Sequence, residues 1–231
     1  MRSLMKKMFS TNNSETIAIL GGTGDVGTGF ALRWGKSGHK IIIGSRARAK
    51  AETAVSKLLK SFPNLSVVAM ENREAAEAGD IVVLTVPAAH QISTLASVKD
   101  QLMGKILVDA TVPLIPPKVG TVQLPTEGSA GKRAQELLGD DVMVVSAFQN
   151  VAADLMKSDV DIECDVLVSG NKKVAREKVI QLAKDAGMQA WHAGPIDNAA
   201  AAEALTSILI QINKSYPISH SGIKIVGDSH D

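Results

Sequence analysis

A single cysteine, Cys164, serves a chain of 231 residues. That excludes an internal disulfide framework and any zinc site built on several cysteines, and it suits a reducing cytoplasm. Its neighbours Glu163 and Asp165 would raise a thiol pKa, so a structural cysteine is expected rather than a nucleophile. Aromatic residues make up 3% of the chain, so the core must be aliphatic, and a hydrophobic content of 45% is enough to build a substantial one. Charge of one sign is lacking too. A net charge of +1 gives no basis for nucleic acid or an anionic membrane as partner. No run approaches the ~20 apolar residues of a membrane helix. The histidines, His39, His90, His192, His220 and His230, include no pair at a helical metal-ligand spacing, and each reads as a surface or capping residue. No metal is expected. Residues 1–14 carry Arg2, Lys6 and Lys7 but no apolar segment of signal-peptide length, and they read as a flexible leader, with Met5 and Met8 as alternative starts.

What is present begins at residue 16. The run Thr16-Ile-Ala-Ile-Leu-Gly-Gly-Thr-Gly-Asp-Val-Gly27 passes from an apolar, β-rich segment into a glycine turn, and an amphipathic segment leaves it. That order is the strand, phosphate loop and helix of a dinucleotide-binding unit. Gly22 permits the tight turn, Gly24 lets the backbone approach a pyrophosphate, and Gly27 lets the helix pack close to the sheet with its first amides aimed at the phosphates. A tight turn without a ligand is the alternative, and the strand before the glycines and the helix after them argue against it.

The next strand selects the nucleotide. It is expected over 41–43 and runs into Gly44-Ser45-Arg46-Ala-Arg48-Ala-Lys50. An NAD site would place Asp or Glu at this strand's end, about 20 residues beyond the glycines, for the ribose 2′-hydroxyl. Here stand Ser45, Arg46 and Lys50, with no acidic residue between Gly38 and Ala51. A hydroxyl and two cations suit a 2′-phosphate. The bland reading is a solvated helix start, but positive charge at a helix N-terminus is unfavourable unless an anion sits there. NADP(H) is the expected cofactor.

Strands and helices then alternate, which predicts an α/β fold with a doubly wound parallel sheet. Helices are expected over 25–36, 49–60, 71–78, 88–101, 129–138, 172–186 and 199–215. Strands are expected over 65–69, 80–86, 105–109, 142–145, 165–169 and 188–191. Residues 110–128 form a long proline-bearing loop, of a length that is usually functional or mobile. The expected organisation is the leader at 1–14, a nucleotide-binding domain at 15–145, and a small C-terminal domain at 146–231. The final helix carries Leu205, Ile208, Leu209 and Ile212 on one stripe, and the apolar tail over 217–226 needs cover, which together predict a homodimer.

With these segments in hand, the chain resembles the NADPH-dependent reductases of coenzyme F420, an 8-hydroxy-5-deazaflavin. The resemblance spans roughly 16–227. It rests on Ile19-Leu-Gly-Gly-Thr-Gly24, Gly44-Ser-Arg46 with Lys50, Asp80-Ile-Val-Val-Leu-Thr-Val-Pro87, Val145-Ser-Ala-Phe-Gln-Asn-Val151, Ala193-Gly-Pro195, Glu203-Ala-Leu-Thr206 and Gly222-Ile-Lys-Ile225. It implies a Rossmann domain plus a small C-terminal domain, with NADP(H) and F420 meeting in the cleft between them and a homodimer as the assembly. By family pattern Thr23, Gly24, Asp25 and Val26 wrap the pyrophosphate, and Ser45, Arg46 and Lys50 hold the 2′-phosphate. Ala88 lines the nucleotide site, and Ala153 and Ser221 approach the nicotinamide half. Asp25 stands where some members carry Asn. A carboxylate there would repel phosphate unless it caps the helix.

The reaction implied is direct hydride transfer, for which the protein must stack two rings and exclude water, so no side-chain acid is expected to act. That includes His220, beside the Ser221-Gly222 turn. Small or apolar residues, Val112, Pro113, Ala147 and Val151, are the candidates for the ring slot, and Lys105, Lys118 and Lys132 for the acidic tail of the deazaflavin. Two other readings stay open on the residues alone. One is an NADPH-dependent reductase of another acceptor, such as a flavin, ferric chelate or imine. The other is an NADP-sensing module without turnover.

Overall fold

The computed structural model describes residues 14–158 and 160–228. All but the last residue of the expected leader, and His230, lie outside them. Strand β1 (Thr16–Leu20) sends Ile17 and Ile19 into one buried cluster and Ala18 and Leu20 into another. A strand covered on both faces must be apolar at every position, which is why the run shows no alternation. After the glycine turn comes helix α1 (Asp25–Lys36), then β2 (Lys40–Ser45), α2 (Arg48–Ser61), β3 (Val67–Glu71), α3 (Asn72–Ala78) and β4 (Ile81–Leu84). Helix α4 (Gln91–Val98), β5 (Ile106–Asp109), α5 (Ala130–Leu138) and β6 (Met143–Ser146) continue the alternation. The short α6 (Ala153–Met156), then β7 (Val166–Gly170), α7 (Lys173–Asp185), β8 (Ala190–Gly194) and α8 (Ala199–Ser215) complete it.

Among the described residues one sheet holds these strands in the order β3-β2-β1-β4-β5-β6-β7-β8. The first six give the Rossmann order, with the order of strand addition switching between β1 and β4. Every pairing is parallel except β6 with β7. Alternation alone predicts a parallel sheet throughout. The exception arises because the link from β6 to β7 contains only the four-residue α6, so the chain turns back at the edge it has just reached. Beyond Ser146 the chain continues the same sheet through β7 and β8.

Packing explains most of the remaining detail. On one face Phe30 stacks on Trp34 with ring centroids 4.5 Å apart, and Phe148 meets Phe30 edge-on at 4.9 Å. Three of the few aromatics therefore gather in one place, and Trp34 Nε1 donates to Leu182 O at 2.8 Å, joining α1 to α7. On the other face Leu95, Leu102, Ala134 and Leu138 cover β4 and β5. Two strands lie later than expected. β3 begins at Val67 because Leu65 belongs to a turn whose amide bonds Phe62 O, and β8 begins at Ala190 because the Met188 amide caps α7 at Ala183 O.

Candidate active site

The largest concavity described lies where topology predicts it, outside the carboxyl ends of β1, β4 and β5. It measures about 910 Å³ and is lined by the glycine loop, the β2–α2 turn, Thr85 to Pro87, and Ala110, Val112 and Ala153. Each glycine has its own reason. A Cβ on Gly22 would lie 2.7 Å from Ile19 O, whereas Gly24 has nothing within 4 Å and opens to the cavity. Gly21, unremarked in the motif, takes φ +70, and a Cβ there would press on Val86 Cγ1 at 2.5 Å. Gly24 is the N-cap of α1 and no side chain caps it, so the first-turn amides face the cavity with the positive end of the helix dipole.

The β2–α2 turn supplies the cations. Ser45 is buried at the end of β2, and Arg46 and Lys50 line the cavity. Arg48 is tied to Glu74, but the Arg46 and Lys50 side chains pair with no acid among the described residues. Helix α2 has no acidic residue in its first turn and no side-chain cap. Two unpaired cations beside an uncapped helix start form a site for an anion. An open glycine, free first-turn amides and this cation pair fit the pyrophosphate and 2′-phosphate of NADP(H).

The other sequence candidates divide. Thr23, Asp25, Val26, Val112 and Ala153 line the cavity, whereas Ala88 does not, its place being taken by Pro87 and His90. Ser221 is turned to Asn213, which accepts both its amide and its hydroxyl. Of the expected ring slot, Val112 faces the cavity. Ala147 is 0% exposed and belongs to the core, so its methyl supports the wall and does not form it. Pro113 is buried and Val151 packs on the core cluster, and neither lines the cavity. Lys105 lies at the far end of the sheet, where its amino group donates to Ala76, Glu77 and Gly79 carbonyls and caps α3. Lys132 is paired with Asp197 at 2.7 Å. Neither is free to meet an acidic tail. His39 is a core residue, not a surface one, with Nε2 3.0 Å from Asp185. His220 lies outside the cavity lining, 3.7 Å from Asp154. Cys164 is buried against Asn150 O, and burial pushes its thiol up, with Asp165 adding to it.

A polar scaffold holds this wall. Asp109, the last residue of β5, accepts from the Thr111 amide at 2.9 Å and from Gln91, and its carbonyl accepts from Gln149 Nε2 at 2.9 Å and the Ala147 amide at 3.2 Å. Gln91 also donates to Ala130 O and accepts from Arg133. From α8, Glu203 accepts the Ala130 and Gly131 amides at 2.7 and 3.0 Å, capping α5. Burial raises Glu203 to about 7 and pushes Asp109 upward as well. Asn150 and Thr206 tie α8 to the segment after β6. Sequence reading missed Asn72, which lines the cavity and accepts the Gly21 amide, and Gln91, Asp109 and Arg133, because they meet only through the fold.

Residues 16–113 match the family model described as NADP oxidoreductase, coenzyme F420-dependent. The F420-dependent NADP reductase of Methanocaldococcus jannaschii is 40% identical over 218 residues, covering 90% of this chain and 97% of that protein. The chain belongs to the F420-dependent NADP reductase family. The Methanothermobacter thermautotrophicus member is likewise 40% identical over 90% of the chain. A putative F420-dependent NADP-reductase of Arthrobacter superposes with a TM-score of 0.79 at 28% identity, covering 92% of this chain and all of that one. Imine reductases such as that of Myxococcus stipitatus, at 20% identity and a TM-score of 0.57, share the fold. Among the described residues no helix of this family member is long and apolar enough to cross a membrane.

Proposed function

We propose that this chain catalyses hydride transfer between NADP(H) and coenzyme F420. The observation that carries the reading is the cavity at the topological switch point, with an open glycine loop, unpaired Arg46 and Lys50 and no acid at the end of β2, in a chain of this family. When bound, the nicotinamide and the deazaflavin supply the redox chemistry themselves. The work of the residues is to bind, orient and exclude water. The first-turn amides of α1, with Thr23 and Val26, take the pyrophosphate. Ser45, Arg46 and Lys50 take the 2′-phosphate. Ala110, Val112, Pro87 and Ala153 border the nicotinamide half, where a wall of small apolar side chains admits a flat ring and keeps water out. The test is an absorbance assay of NADPH with purified F420 beside riboflavin and FMN. Oxidation should be fastest with F420 by at least an order of magnitude, and equal or greater rates with FMN would overturn the reading.

The unit of function is a homodimer. Supporting it are apolar side chains left open to water along the tail and the last helix, namely Tyr216, Ile218, Ile225, Val226 and Ile208, with Val226 86% exposed. The lone cysteine, buried and unpaired, suits a reducing cytoplasm.

A further inference from the structure

Asp25 is the anomaly of the phosphate loop. It is the first residue of α1, it lines the cavity, and its side chain is 73% exposed. It does not cap the helix, whose N-cap is Gly24 with no side-chain bond. A free carboxylate at that place would oppose a pyrophosphate. The fold brings a cation to it from 132 residues along the chain: Lys157 Nζ lies 2.8 Å from Asp25 Oδ1 and 3.5 Å from Asp154.

This placement is built into the fold. A Cβ on Gly29 of α1 would lie 2.5 Å from Met156 Cβ, so α1 and α6 meet with nothing between them. One turn on, Arg33 donates to the carbonyls of Leu155 at 2.9 Å, Met156 at 3.2 Å, Ser158 at 2.8 Å and Val160 at 2.8 Å. The backbone on both sides of Lys157 is therefore pinned to the helix whose N-terminus faces the phosphates. Lys157 also lines a second groove of about 380 Å³ that adjoins the main cavity through the shared residues Thr23, Asp25 and Lys50.

We propose that Lys157 is a positioning residue of the nucleotide site, a cation delivered by α6 that neutralises Asp25 and so removes its repulsion from the pyrophosphate position at the start of α1. This rests on the NADP(H) reading above. It assigns α6 a double duty, since Ala153 on the same short helix borders the cavity. Asp154 lies farther from the same amino group, at 3.5 Å against 2.8 Å, so the cation is held mainly against Asp25.

The test is direct titration of the full chain with NADPH and with NADH. Lys157→Gln should weaken both nucleotides by one common factor, about three- to tenfold, between a screened surface pair and a charge-assisted bond. Lys157→Arg should stay near wild type. In an Asp25→Asn background the same Lys157→Gln change should cost less than about twofold, and in ~1 M salt, where screening acts over about 3 Å, the single-variant loss should fade. Wild-type affinity in Lys157→Gln, or a loss undiminished by Asp25→Asn, would overturn the proposal. Failure of the wild-type chain to bind NADPH would instead overturn the reading on which it rests. Melting curves of each variant separate loss of binding from loss of fold.

Discussion

Arg46 stands at the cavity edge with no carboxylate among the described residues to share it, and that isolation bears on nucleotide choice. On the proposed 2′-phosphate assignment, Arg46→Ala should weaken NADPH about ten- to a hundredfold and leave NADH nearly unchanged. Titration with both nucleotides decides it, and equal losses would remove the 2′-phosphate assignment. Ala147 makes the opposite point. A small apolar residue in this segment reads from sequence as slot lining, but it is wholly buried in the core. Ala147→Leu should therefore act first on stability, lowering it by about 1–3 kcal/mol through overpacking, with NADPH affinity in the folded fraction retained. Urea unfolding beside a binding titration would separate the two. Exposure is a property of neighbours, which a single residue's identity does not carry.

At the scale of elements, α5 and α8 are joined by a buried carboxylate. Glu203 caps two α5 amides, and burial raises it from the ordinary 4.5 to about 7, with Asp109 adding to the rise and Arg133 opposing it. The folded chain therefore keeps a proton that the unfolded chain releases. The stability this contributes is fully present below about pH 4.5 and is lost as pH rises through about 7, a change on the order of 3 kcal/mol. Asp109, pushed the same way, has the same sign. Urea midpoints should fall between pH 5 and 7, and Glu203→Gln should remove its share of that slope. An unchanged slope in the variant would place the titration elsewhere. The helices themselves were legible, because 25–36 and 199–215 carry amphipathic patterns bounded by glycine, proline or a strand. The cap that joins α5 to α8 was not, since Glu203 and Gly131 are 72 residues apart.

At the scale of the molecule, the exposed apolar tail and last helix predict association. Sedimentation at micromolar concentration should give twice the 24.3 kDa chain mass, and a monomer would refute the dimer. Charged substitution at Ile218 or Val226 should shift the equilibrium toward monomer by tenfold or more, since each removes a large apolar contact. Sequence alone determined the Rossmann half and the cofactor. Strand periodicity, the glycine loop and Ser45-Arg46 with Lys50 are local, and local patterns act within a few residues of themselves. The tertiary structure alone decided the rest: that β7 runs antiparallel, that Ala147 is core, that Lys105 caps a helix, and that Lys157 answers Asp25. Each of these depends on residues far apart in the chain that meet only when the sheet closes its layers, and pairing at that range leaves no periodic mark on the sequence.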